Sequence, residues 1–133
     1  VSFEEIGKLN YVSELNSEAF EPVFSEIHQQ KWEFKNKISP TFSLTKRNQL
    51  FNEINEENTY NLIYFDAFGA RVQPELWTEE IFQKMFNSLK SNGILVTYSA
   101  KGSVRRAMQT VGFLVEKLPG PPGKREMLRA VKK

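Results

Sequence analysis

The apolar run Tyr60-Asn61-Leu62-Ile63-Tyr64-Phe65 stops at a single carboxylate, Asp66, and continues through Ala67-Phe68 to a helix that opens near Pro74. A short apolar run bounded in this way predicts a buried parallel strand that delivers Asp66 to its carboxyl end. Open α/β sheets take their ligands in the crevice outside the carboxyl ends of their strands, so an acid there, flanked by Phe65 and Phe68, has an evident use. The competing reading is a helix-capping or loop aspartate.

The 133 residues, 40% of them apolar and including 11 Phe, suffice for one hydrophobic core, so a single domain is expected over residues 1–133. A net charge of +2 does not by itself specify an anionic partner. Its distribution is more telling. Acids crowd the first third and the segment around Glu53, Glu56 and Glu57, whereas Lys101, Arg105, Arg106, Lys117, Lys124, Arg125, Arg129, Lys132 and Lys133 make the last third basic. The absence of cysteine excludes disulfides, thiolate zinc sites and a cysteine nucleophile. One histidine, His28, cannot build a multi-histidine metal site, and it is read as a surface or packing residue; no metal is expected. No stretch approaches the roughly 20 apolar residues of a membrane span, and the first residues carry acids where a signal peptide carries Lys or Arg. A cytoplasmic protein is expected.

Val1-Ser2-Phe3-Glu4-Glu5 reads as the end of a strand. Ser17 or Asn16 caps a helix to Gln30 in which Phe20, Val23, Phe24 and Ile27 recur at spacings of three and four, a stripe suited to covering one sheet face. Trp32-Glu33-Phe34 and Thr41-Phe42-Ser43-Leu44-Thr45 alternate about Ser39-Pro40 and suggest a strand pair. Beyond Asp66, the spacing of Trp77, Ile81, Met85, Phe86 and Leu89 predicts a helix stopped by Gly93, its apolar stripe turned to the core. Ile94-Leu95-Val96-Thr97-Tyr98-Ser99 is then a second buried strand whose carboxyl end lies beside the first. A helix from about Ser103 to Thr110 ends at Gly112, and Phe113–Leu118 forms a third strand. The turn Pro119-Gly120-Pro121-Pro122-Gly123 is too short for a helical crossover, so Arg125–Val131 returns antiparallel. Strand, helix, strand, helix and terminal hairpin resemble the carboxyl-terminal half of a Rossmann-like class I S-adenosylmethionine-dependent methyltransferase, an α/β fold with a mostly parallel sheet.

Four blocks sharpen that resemblance. They are Asp66-Ala67-Phe68-Gly69-Ala70-Arg71-Val72-Gln73-Pro74-Glu75-Leu76-Trp77; Gly93-Ile94-Leu95-Val96-Thr97-Tyr98-Ser99-Ala100-Lys101-Gly102; Val104-Arg105-Arg106-Ala107-Met108 with Gly112-Phe113; and Pro119-Gly120-Pro121-Pro122-Gly123-Lys124-Arg125-Glu126-Met127. Together they resemble the MnmC-like methyltransferase family, specifically from about residue 60 onward. The resemblance implies S-adenosylmethionine as cofactor, tRNA as partner, and methylation of the primary amine of 5-aminomethyl-2-thiouridine at the wobble position. In some bacteria the family's domain is fused to an FAD-dependent oxidase; here a separate oxidase is expected to act upstream.

Carried over residue by residue, the resemblance makes Glu4 the acid that holds the cofactor ribose, with Asp66 and Ala67 beside the cofactor. The acid that commonly sits near the adenine is missing, and Asn48 and Gln49 are the nearby polar candidates. The family's first strand and glycine-rich loop are also missing; the seven glycines, at 7, 69, 93, 102, 112, 120 and 123, stand singly at turns. A truncated domain that binds the cofactor weakly and leaves one sheet edge unprotected is therefore expected. Asp66 is the candidate catalytic group, orienting the amine, and Phe68, or Tyr98 from the adjacent strand, is the aromatic candidate to face the sulfonium; ordinary packing is the other reading for Tyr98. Lys101, Arg105, Arg106, Lys124 and Arg125 are the candidate RNA phosphate contacts. Two other functions remain open: a noncatalytic methyltransferase-like binding module, and a methyltransferase acting on a small molecule or a protein.

Overall fold

Ser2 and Glu5 close a reciprocal pair of hydrogen bonds at the start of the computed structural model, which describes residues 2–123 and 125–133 without the Phe3 side chain. The Ser2 backbone N–H donates to Glu5 Oε2 at 2.6 Å, and Ser2 Oγ accepts the Glu5 N–H at 3.3 Å. This is a capping box, and it starts α1 (Phe3–Ile6) where a strand was expected. Glu4 thus lies on an exposed helical turn, where its carboxylate pairs with Lys8 at 3.1 Å instead of ending a strand. Val1 is outside the described residues.

The chain divides into two units, Val1–Asn48 and Gln49–Lys133. In the first, α2 (Tyr11–Glu14) and a 3₁₀ turn (Glu18–Phe20) precede α3 (Glu21–Gln29). The expected helix therefore starts late: Asn16 has φ 50, and Ser17 begins the 3₁₀ turn without a capping side-chain bond. No residue of α3 is buried, and neighbouring Phe20 is 64% exposed, against the expectation of a sheet-covering stripe. His28 does pack: its ring lies 4.3 Å from that of Phe24, and Nδ1–H donates to Phe24 O at 2.7 Å. The expected strand pair forms as β1 (Lys35–Lys37) and β2 (Ser43–Thr45), antiparallel with Asn36 opposite Leu44. The first strand begins three residues later than its pattern suggested because Glu33, at φ 66, leaves the extended region.

The second unit holds a four-stranded sheet of β3 (Tyr60–Phe65), β4 (Leu89–Thr97), β5 (Leu114–Pro119) and β6 (Glu126–Val131), in the order β3-β4-β6-β5. β3 and β4 are parallel, with Phe65 opposite Thr97, so their carboxyl ends are level as expected. β6 runs antiparallel to both β4 and β5. Three strands thus share one direction and the returning arm of the hairpin is inserted among them.

Two helices cover one face of this sheet. On α4 (Glu79–Ser88), the Thr78 hydroxyl accepts the Ile81 N–H, Glu79 and Glu80 favour the first turn, and Ile81, Phe82, Met85 and Ser88 point inward. On α5 (Gly102–Thr110), Val104, Ala107 and Met108 do the same, and Gly112, at φ 108, ends the helix as its position suggested. These residues meet Phe65, Leu95, Val115, Leu128 and Ala130 in a single core. The opposite face of β3 is open, with Leu62 44% and Tyr64 77% exposed, so the strand is half-buried instead of buried on both sides.

α4 stops earlier than its apolar spacing predicts. Its last carbonyls are taken by the lead-in to β3, from Asn58 N–H to Asn87 O at 2.9 Å and from Thr59 N–H to Ser88 O at 2.8 Å. Leu89, fully buried, already belongs to β4. Gly93 is not a helix stop but part of a bulge in β4, where an added β-carbon would come 2.8 Å from Lys90 O.

Candidate active site

Alternation continues past the end of β3: Phe65 points inward, Asp66 is exposed, Ala67 is buried and Phe68 is 72% exposed. Phe65 is anchored by edge contacts to Trp77 at 5.2 Å and to Phe51 at 5.6 Å. Asp66 and Phe68 therefore emerge on one side of a fixed backbone, on the wall of a cavity of about 710 Å³. Phe51, Leu50, Leu76 and Ile81 supply its apolar wall, and Gln49, Asn52 and Gln73 supply amides.

The charges of the cavity have one sign. Asp66, Glu75 and Glu80 line it, and among the described residues no Lys or Arg does. Three carboxylates around a partly apolar space favour a cationic guest and disfavour an anionic one. A phosphate would be repelled here, whereas an ammonium or a sulfonium would be held.

The expected site residues fall into separate places. Asp66, Ala67, Phe68 and Gln49 share the cavity wall. Asn48 and Glu4 belong to the first unit; the backbone N–H of Asn48 donates to Glu33 Oε1 at 2.6 Å. Tyr98 does not line the cavity: its hydroxyl donates to Ala67 O at 2.8 Å and its ring meets Trp77 edge to face at 6.0 Å. Of the two readings of Tyr98, packing is the one this geometry supports. Glu75, Glu80 and Phe51 were not singled out from the sequence. Glu75 and Glu80 flank Trp77 on separate turns, and only folding brings them round to Asp66.

None of the described basic candidates lines the cavity. β5 runs parallel to β4, so the turn between β5 and β6 lies at the same end of the sheet as Asp66. It is three strand spacings away from β3, about 14 Å across the sheet. Arg105 on α5 and Arg125 on that turn both add to the depression of the Glu126 carboxyl below its ordinary range, whose main cause is the hydrogen bond from Lys117. Lys117 Nζ lies 2.8 Å from Glu126 Oε2. Lys101 stands exposed at the N-cap of α5, and the exposed Arg106 reaches back toward Gly102. The Arg105 Nε is buried without a hydrogen-bond partner among the described residues. Lys124 lies outside the described residues. Among those residues no cluster of three or more metal-binding side chains occurs, and no helix is long and apolar enough to cross a membrane.

The chain is similar to known proteins. A bifunctional protein for tRNA 5-methylaminomethyl-2-thiouridine biosynthesis, MnmC, from Actinobacillus pleuropneumoniae serotype 5b is 38% identical over 71 residues, 53% of this chain and 11% of its own. The MnmC protein of Azoarcus sp. is 41% identical over 64 residues, 48% of this chain and 10% of its own. The chain thus matches about a tenth of the length of these relatives. The crystal structure of MnmC2 from Aquifex aeolicus superposes with a TM-score of 0.62 and 26% identity, covering 71% of this chain and 32% of that one. A family model described as S-adenosyl-L-methionine-dependent methyltransferase matches residues 12–133. The cofactor that this family implies carries a sulfonium, an ammonium and a carboxylate; the acid-lined cavity beside the Phe68 ring fits the two cations and offers the carboxylate no cationic partner among the described residues. The sheet with its inserted antiparallel strand, the carboxylate at the end of β3 and the family match over residues 12–133 lead to one conclusion: the chain belongs to the S-adenosyl-L-methionine-dependent methyltransferase family.

Proposed function

We propose that this chain takes part in the N-methylation of the aminomethyl group of 5-aminomethyl-2-thiouridine at the wobble position of tRNA. The observation that carries the reading is the cavity at the end of β3, lined by three carboxylates and, among the described residues, by no Lys or Arg. Such a site suits an amine nucleophile and a sulfonium donor together. The biosynthesis named for the MnmC relatives yields a methylamino group, which is the product that an amine acceptor gives.

When bound, S-adenosylmethionine supplies an electrophilic methyl group on sulfur. Asp66, Ala67 and Gln49 are the residues of the cavity that would hold it, with the Phe68 ring against its positive charge, an attraction worth about 1 kcal/mol. An alkylammonium has no lone pair, so the amine must react in its free form. Asp66 accepts an N–H from it and turns the lone pair toward the methyl group. The cofactor would supply the methyl group for a new C–N bond and leave as the thioether, and the proton displaced from the amine held by Asp66 would pass to water. Positioning supplies most of the acceleration, since the donor is already reactive.

The separation of charges fits a nucleic-acid substrate. The base would enter an acidic cavity while the phosphates meet Lys101, Arg105, Arg106 and Arg125 outside it, which grip the backbone without reading sequence. A separate FAD-dependent oxidase would supply the primary amine.

The decisive experiment measures transfer of labelled methyl from S-adenosylmethionine to tRNA carrying the unmethylated amine, with Asp66→Asn in the protein. Loss of a positioned hydrogen-bond acceptor is expected to lower the rate by about 10² to 10⁴. A variant within threefold of wild type would remove Asp66 from the reaction.

A further inference from the structure

Two side chains that do not line the cavity hold the loop that does. Trp77 Nε1–H donates to Phe68 O at 2.8 Å, and the Tyr98 hydroxyl donates to Ala67 O at 2.8 Å. They arrive from different elements: Trp77 ends the 3₁₀ turn Pro74–Trp77, and Tyr98 is the first residue beyond β4. Their rings pack edge to face, with an interplanar angle of 86°, and Trp77 is only 6% exposed.

The consequence follows from peptide geometry. A carbonyl oxygen lies in the plane of the peptide that follows its residue, so the two bonds fix the planes on either side of the Phe68 Cα. With both planes held, the direction of the Phe68 Cα–Cβ bond is set. Asp66 is two residues back, between the end of β3 and the held plane, and its aim is set nearly as tightly. Loops carry reactive groups accurately only when such contacts lock them.

We propose that Trp77 and Tyr98 are positioning residues that clamp the backbone of Ala67 and Phe68 and thereby aim Asp66 and Phe68 into the cavity. This rests on the reading of Asp66 and Phe68 given above. Neither clamp residue lines the cavity, and each acts through a backbone carbonyl.

Tyr98→Phe removes one hydroxyl and keeps the ring against Trp77. It should lower kcat about tenfold while KM for tRNA and the folded fraction stay unchanged, because displacement of a reactive group by a fraction of an ångström acts on the transition state. Combined with Asp66→Asn it should add little further loss, since the two act as one unit. An activity-free readout accompanies this. The Val72 and Gln73 amides both donate to Gly69 O, just beyond the clamp, and their hydrogen exchange should quicken about fivefold when one hydrogen bond of the clamp is lost. Wild-type kcat and unchanged exchange in Tyr98→Phe would overturn the clamp, as would a rate loss that only follows the folded fraction or that is fully additive with Asp66→Asn. If Asp66→Asn is itself wild-type in rate, the functional reading fails by itself; faster exchange in Tyr98→Phe then still supports the clamp on the loop, and unchanged exchange overturns it.

Discussion

Replacing Lys132 by Met tests how the second unit closes on itself. The ammonium of Lys132 donates to Leu89 O at 2.6 Å, to Asn58 Oδ1 at 3.1 Å and to Asn87 O at 3.4 Å, and it lies 4.9 Å from the centre of the Phe86 ring. One near-terminal side chain thus joins the lead-in to β3, the end of α4 and the start of β4. Methionine keeps the apolar stem and removes every donor. The bond to Leu89 O is partly buried and charge-assisted, worth about 1.5 to 3 kcal/mol, and the ring contact adds about 0.5 to 1 kcal/mol. The other two bonds are exposed and replaceable by water. A net loss of about 2 to 3 kcal/mol follows, equivalent to a drop of about 8 to 24 °C in Tm for a unit of this size. The assay is urea unfolding followed by tryptophan emission in a Trp32→Phe background. Trp32 is 55% exposed and Trp77 is buried, so the remaining signal reports on the core beneath Asp66. A shift below 0.5 kcal/mol would show that water replaces the ammonium at Leu89 O and that β4 does not depend on this tie.

Gly93→Ala should destabilise the sheet by about 1 to 3 kcal/mol in thermal unfolding, because its methyl would meet Lys90 O at 2.8 Å and the Leu89 side chain at 3.0 Å, so backbone has to move; a neutral substitution would mean that the bulge in β4 opens freely. The hairpin should weaken in acid. The Glu116 carboxyl is held below its ordinary range by the hydrogen bond from Arg129, whose Nε lies 2.7 Å away, and Glu126 is held low by Lys117. Carboxyls with depressed folded values contribute stability above the unfolded value of about 4.3 and lose it as pH falls through the lower folded value. Thermal midpoints should therefore decline below about pH 4, and Glu116→Gln should flatten that decline; an unchanged slope in the variant would remove the pair from the acid response.

The sequence carried much of the second unit. The run ending at Asp66 became β3, the helix read from about Ser103 to Thr110 became α5, and Gly112 ended that helix. These signals are local: burial on one side sets the period, and a left-handed residue ends the helix. The Ser2-to-Glu5 capping box was also in the sequence, and reading it would have placed Glu4 on a helix. Leu89 was misplaced for a different reason, since an apolar residue in register with a helical stripe is equally at home as the first buried residue of a strand. The choice came from Asn58, Thr59 and Lys132, all distant in sequence, taking the last carbonyls of α4.

By itself the order of residues determined where a carboxylate leaves a strand, which helices flank it, and that the last two strands form a hairpin, because each depends on periodicity or on a turn too short to cross. Only the tertiary structure decided that β6 slips between β4 and β5, that Glu75 and Glu80 join Asp66 around one cavity that no described arginine lines, and that Trp77 and Tyr98 reach the carbonyls beside Asp66. The physical reason is distance along the chain. Thirty-one residues separate Tyr98 from the carbonyl that it holds, and no local pattern encodes a contact that exists only once the sheet has formed.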